Sequence, residues 1–142
     1  RVVNGIPVVT LELKNPLAGQ TYRDAIDQYK RSRSASEVLF RLNRRAVVHF
    51  AVDTDEAWMT TKLAGMDTVF LPFNRGYKNG AGNPPVAGKY KTSYLWEDVL
   101  AKDSLLDILH RFVQLIPHKN DSCKNKLIFP RYHQLDTVRA LV

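Results

Sequence analysis

The stretch NGIPVVTLELKNP, residues 4–16, decides the fold. Asn4-Gly5 between apolar runs is a strong short hairpin signal, because both residues tolerate the positive φ of a type I′ turn. Residues 6–13 (IPVVTLEL) are apolar and β-branched and read as a strand, which Asn15-Pro16 stops. Val2 and Val3 then form the stump of its partner, with Val3 opposite Ile6. Side chains two apart share a strand face, so Glu12 and Lys14 project together and Val9, Leu11 and Leu13 form the core face.

Working outward, the period changes from 2 to 3.6 over residues 20–33, where Tyr22, Ala25, Ile26 and Tyr29 make one apolar stripe. Ser34 followed by Glu37 reads as the capping box of a second helix through Leu42. AVVHFAV (46–52) reads as a buried strand, DTDE (53–56) as a turn, and AWMTTKL (57–63) and TVFLPF (68–73) as further strands. The Gly-, Asn- and Pro-rich residues 74–88 form a long loop. A short helix follows at YLWEDVLA, opened by Ser93. A longer one, SLLDILHRFVQLI, is capped at Asp103 or Ser104, with Leu105, Ile108, Leu109, Phe112 and Ile116 buried. Strands in hairpins and strands separated by helices together imply an α/β domain with a mixed central β-sheet flanked by helices.

The 142 residues suffice for one domain with a real core, and a net charge of +7 favours a polyanionic partner. The single Cys123 excludes an internal disulfide and suits a reducing, cytoplasmic setting. No apolar run is long enough to span a membrane. With no Met at its start and a helical pattern at its end, the chain is expected to be a piece of something longer, truncated at its N-terminus.

Glu12 and Lys14 admit two readings. One is an ion pair at the rim of the sheet. The other is half of a metal-dependent phosphodiesterase site, where a carboxylate holds a divalent cation and a lysine steadies the attacking water and the developing charge. Such a site needs a second carboxylate, since Mg²⁺ prefers anionic oxygen. The hairpin puts the residue opposite Glu12 about three positions before Arg1. Within the chain no acidic residue precedes Glu12, and Asp24 and Asp27 lie on the polar side of the next helix.

NGIPVVTLELKNP with QTYRDAIDQYKR, VVHFAVDTDEAWMTT, FLPFN, TSYLWEDVL and LIFPRYHQLDTVR resembles the restriction subunit of type I restriction-modification enzymes along essentially the whole chain. That subunit joins a PD-(D/E)xK endonuclease domain to a superfamily 2 translocating ATPase motor. The resemblance implies a nuclease domain over 1–117, a linker over 118–126 and the start of the motor over 127–142. It implies that Glu12 and the backbone carbonyl of Leu13 bind Mg²⁺ and that Lys14 is the catalytic lysine. The motif's Asp belongs to the preceding strand. In the related Gln-x-x-x-Tyr motif Gln28 fits the Gln, while Ser32 stands at the Tyr position. Gln28 is thus a candidate to support the lysine or the DNA, against a plain polar helix flank.

The implied function is Mg²⁺-dependent cleavage of double-stranded DNA in an ATP-driven complex with methyltransferase and specificity subunits, the piece itself being inactive. The rival is a non-catalytic DNA-binding or docking module that couples the motor to its partners. Lys30, Arg31 and Arg33 either flank the cleft and track the DNA backbone or form a solvated basic face. The IFPRYHQLDTVR segment resembles the adenine-recognition segment of superfamily 2 motors, with Gln134 reading adenine and Arg131 supporting it. No GxxxxGK[ST] phosphate loop occurs, so the chain alone is not expected to bind ATP usefully. His49 reads as a packed histidine. DTDE is read as a solvated turn more readily than as a cation site, and no His or Cys spacing suggests zinc.

Overall fold

A computed structural model of the chain describes residues 1–141; Val142, the last residue of the expected motor segment, lies outside them. The chain opens on β1 (Val2–Val3) and β2 (Ile6–Pro7), antiparallel with Val3 opposite Ile6 as the hairpin signal predicts. Asn4 and Gly5 both take positive φ, 48° and 78°. The expected strand over 6–13 is interrupted. Val8 and Val9 both donate backbone N–H to the Arg1 carbonyl, two residues against one, and this bulge separates β2 from β3 (Val9–Leu13).

From β3 the chain passes through α1 (Tyr22–Ser32) into β4 (Val48–Val52), which lies parallel to β3 with Glu12 opposite Ala51. Strands β5 (Ala57–Thr60) and β6 (Leu71–Pro72) add antiparallel, giving the order β3-β4-β5-β6 and a mixed sheet. Every residue of β4 is buried, as expected of a central strand covered on both faces. On one face Ala51 packs with Ala25 and Tyr29 of α1, Phe40 and Leu63. On the other, Val9, Val48, Phe50 and Val52 join Phe73, Leu95, Leu105, Ile108, Phe129 and Leu135 in the larger core. Within the predicted core face, Leu11 is only partly buried and Leu13 is exposed.

Several elements differ from expectation. No helix forms over 34–42; these residues make isolated turns. Ser34 spends its hydroxyl on Ser36, whose backbone N–H it accepts, and Asn43 takes a left-handed φ of 55° close behind. The capping box forms instead at the start of α1. There Thr21 accepts from Arg23 N–H and Asp24 reaches back to Thr21 N–H at 2.8 Å. The expected helix over 94–101 is a wider π turn, Leu95–Val99, in which Leu100 N–H bonds Leu95 O.

Helix α2 (Lys102–Arg111) stops short of Ile116. The N–H groups of Phe112 and Val113 both end on Ile108 O, and the chain then extends as β7 (Gln114–Ile116), antiparallel to β8 (Lys126–Ile128). Of residues 118–126, expected as linker, 118–125 form most of the connection of this pair and Lys126 opens β8. Helix α3 (Tyr132–Leu141) follows. Its Leu135 and the preceding Phe129 enter the larger core, and Tyr132 meets Phe73 and Tyr94 edge to face. The loop after β6 is ordered by Asn83, whose side chain accepts from Arg75 N–H and donates to Asp55 O and Asn74.

Candidate active site

The polar face of β3 is what α1 covers. Thr10, Glu12 and Lys14 follow one another at a spacing of two, and each meets a side chain from α1 or its end. The Thr10 hydroxyl lies 2.8 Å from Tyr29 Oη and 2.7 Å from His49 Nδ1. Burial lowers the His49 imidazole to about 4 and pushes the Tyr29 phenol up. Both are therefore neutral at ordinary pH, and together they form a dry polar floor.

Above that floor, Arg33 donates through Nε and Nη2 to a single oxygen of Glu12, Oε1, at 2.9 and 2.6 Å. The pair is partly open, with side chains 34% and 18% exposed for Arg33 and Glu12. Lys14 donates Nζ to Gln28 Oε1 at 2.6 Å. Gln28 sits one helical turn before Ser32, which is exposed and holds no such position. Glu12 and Lys14 near the end of β3 thus meet Arg33 and Gln28 from the end and the middle of α1.

The backbone of Lys14 continues the ladder by donating to Val52 O at 2.9 Å. In a parallel ladder alternate residues bond to one neighbour, so the carbonyl of Leu13 faces the open edge of β3. Glu12 and the Leu13 carbonyl offer hard oxygen donors, which suit Mg²⁺ in kind. In the structure the positive partner of this carboxylate is the Arg33 guanidinium. Among the described residues no three His, Cys, Asp or Glu side chains gather into a metal cluster. Asp53 is occupied otherwise: it accepts N–H groups from Tyr22, Asp55 and Glu56 and ties the start of α1 to the turn after β4.

Lys14 borders an open cleft of about 430 Å³ at the C-terminal ends of β3 and β4, with Asp53, Thr54, Tyr90 and Trp96 among its other walls. Glu12 does not line this cleft; its Oε1 is taken by Arg33.

The remaining basic candidates separate. Arg31 pairs with Asp27 at 2.7 Å on the exposed side of α1. Lys30 is half-buried and joins no ion pair among the described residues. Arg131 and Gln134 are far along the chain on the other layer, where the Gln134 side chain accepts Arg131 N–H at 2.9 Å and caps α3. Gln134 also borders an open depression of about 560 Å³ with Phe112, Gln114, Ile128 and Pro130.

Sequence reasoning assigned Tyr29 to an apolar stripe and so missed its hydroxyl, and it left Thr10 without a role. The signal available was period 2: Thr10 shares the face of Glu12 and Lys14, and a polar face under a helix requires polar partners.

No helix among the described residues is long and apolar enough to cross a membrane. No curated protein and no solved structure matches the chain. Residues 2–68 match the family described as type I restriction enzyme R protein N terminus, a span that holds the hairpin, β3, α1, β4 and β5. Residues 2–68 of this chain, which hold Glu12, Lys14, Gln28 and Arg33, are thus similar to the type I restriction enzyme R protein N terminus.

Proposed function

We propose that this chain carries DNA-cleaving residues of a type I R subunit, Glu12 and Lys14, on a PD-(D/E)xK-like sheet. The observation that carries the reading is the Lys14 ammonium, held by Gln28 on the same strand face as Glu12. Glu12 and the Leu13 carbonyl are the cation ligands. A bound Mg²⁺ supplies Lewis-acid stabilisation of the charge that develops on the scissile phosphate. Lys14 orients the water that attacks phosphorus in line and offsets part of that charge. Gln28 fixes the direction of the Lys14 ammonium, and the neutral Thr10–Tyr29–His49 floor excludes water beneath it. Lys30 and Arg31 contact backbone phosphates beside the cleft.

In this reading cutting is driven by ATP-dependent translocation, in the cytoplasm, within a complex that includes methyltransferase and specificity subunits. Residues 1–117 serve the nuclease, 118–126 the connection and 127–142 the entry to the motor. Gln134 then reads adenine through its amide NH₂, since its oxygen is engaged by Arg131 N–H, and nucleotide phosphates bind elsewhere in the subunit.

One observation favours the rival, a non-catalytic docking module: Arg33 already satisfies Glu12, and the cleft beside Lys14 does not reach it. Plasmid cleavage in Mg²⁺ by the assembled restriction complex separates the two. Complexes carrying Glu12→Gln or Lys14→Ala are expected to translocate and not cut. Cutting at the wild-type rate by both would leave the docking module as the reading.

A further inference from the structure

The Arg33–Glu12 contact is an unusual way to join a guanidinium to a carboxylate. A fork-to-fork pair uses both carboxylate oxygens and is the stronger geometry. Here Nε and Nη2 converge on Oε1 alone, and among the described residues no hydrogen bond reaches Oε2. Glu12 is thus half committed: one oxygen is engaged, the other has no protein donor, and the Leu13 carbonyl beside it faces the open edge.

Arg33 is also placed to leave. It is the C-cap of α1, with extended backbone (φ −113°, ψ 118°), so its movement breaks no helical hydrogen bond. Residues 34–38, which follow it, are exposed and held only by local turns. A partly exposed ion pair of this kind is weak and yields to a competitor of higher charge. A phosphate oxygen that shares a cation with Glu12 necessarily lies close to the guanidinium that has been displaced, and arginine is well suited to phosphate.

We propose that Arg33 is an exchange residue: it occupies Glu12 while no divalent cation is present, and it moves to a DNA phosphate when the cation takes the carboxylate. The proposal rests on Glu12 being a cation ligand and adds to that reading a positioning role for Arg33. It turns the observation that favoured the docking module into the resting state of the site, in which the guanidinium occupies the carboxylate and blocks stray cations. It also couples the two ligands, because each would release the group that the other needs.

The test is calorimetric titration of Mn²⁺, as a stand-in for Mg²⁺, into the assembled restriction complex without DNA or ATP, since Glu12 is the one carboxylate the described residues bring to the site. Wild type, Arg33→Gln, Arg33→Ala and Glu12→Gln are compared, with Arg44→Gln, an exposed arginine of the following segment, as the control for lost charge. Thermal melts establish that each variant is folded. Removing the competitor is expected to tighten Mn²⁺ binding about fivefold or more in both Arg33 variants, within the usual range of site coupling. Arg44→Gln is expected to match wild type, and Glu12→Gln to abolish binding.

A second readout is the salt dependence of DNA binding in Ca²⁺ against EDTA. Wild type should gain about one phosphate contact in Ca²⁺, a slope steeper by roughly 0.9, and Arg33→Gln should gain none. Equal Mn²⁺ affinity in wild type and both Arg33 variants, with Glu12→Gln still abolishing it, would overturn the exchange and leave the cation site standing. Absence of Mn²⁺ binding in every variant would overturn the cation site and the exchange together.

Discussion

Lys14 Nζ lies 2.6 Å from Gln28 Oε1, across the gap between the end of β3 and the middle of α1. A lysine ammonium has three donors on a flexible stem, so a fixed acceptor is what converts it from a solvated charge into a directed one. Gln28→Leu is therefore expected to leave folding within about 1 kcal/mol, the net worth of an ordinary hydrogen bond. Cleavage by the assembled complex is expected to fall about tenfold or more, with DNA affinity little changed, as for loss of an oriented catalytic group. Gln28→Glu, which keeps an acceptor at the same place, should recover part of the rate. A Gln28→Leu complex that cuts at the wild-type rate would reduce the contact to packing.

The two capping signals of the sequence make a second, purely structural prediction. Thr21 and Asp24 form a reciprocal box on α1, whereas Ser34 and Glu37 stand in turns. Thr21→Ala is expected to destabilise the chain by about 1 kcal/mol in urea denaturation, the usual cost of a lost N-cap. Ser34→Ala should stay within about 0.5 kcal/mol, like other exposed changes away from special features. The opposite ranking would mean that a helix over 34–42 forms in solution.

Phe129 lies in the aromatic group with Phe50 and Phe73, at centroid distances of 6.0 and 6.3 Å, although it belongs to the segment expected to open a second domain. Phe129→Ala should cost about 3–5 kcal/mol, as a large-to-small change in a core does. It should lower the melting temperature of the whole sheet. A loss confined to α3, seen as hydrogen exchange faster there and unchanged in β4, would mean that residues 127–141 are a separable unit.

Strict local periods made parts of this chain legible. Period 2 gave the shared face of Glu12 and Lys14, the Asn-Gly turn gave the β1–β2 register, and the run 46–52 gave the buried central strand. The failures occur where tertiary pairing outweighed a local pattern. Phe112 and Ile116 fit a helical stripe, yet β7 finds β8 ten residues later and leaves the helix. Arg33 was read with Lys30 and Arg31 as flanking the cleft or on a solvated face, and its pairing with Glu12 was illegible for a different reason: the helix ends at Ser32, so its side chain direction follows no helical period. What could have located it is charge alone, since a carboxylate beneath a helix requires a cation and Arg33 is the first one past the helix end.

His49 supplies the pH dependence. Its imidazole is held near 4 by burial, against an ordinary value of 6.5, while its Nδ1 stays within 2.7 Å of Thr10 Oγ1. In the unfolded chain His49 takes up a proton as pH falls below about 6.5, whereas in the folded chain it remains neutral until about 4. The unfolded state thus binds more protons across that window, so stability falls with falling pH there and is insensitive to His49 above it. The expected loss from this group between pH 7 and pH 5 is about 2 kcal/mol. His49→Gln keeps a polar group beside Thr10 and removes the titration, so its urea midpoint should fall much less over the same interval, whatever its value at pH 7. Parallel acid slopes for wild type and variant would mean that His49 is charged, or open to water, in the folded protein.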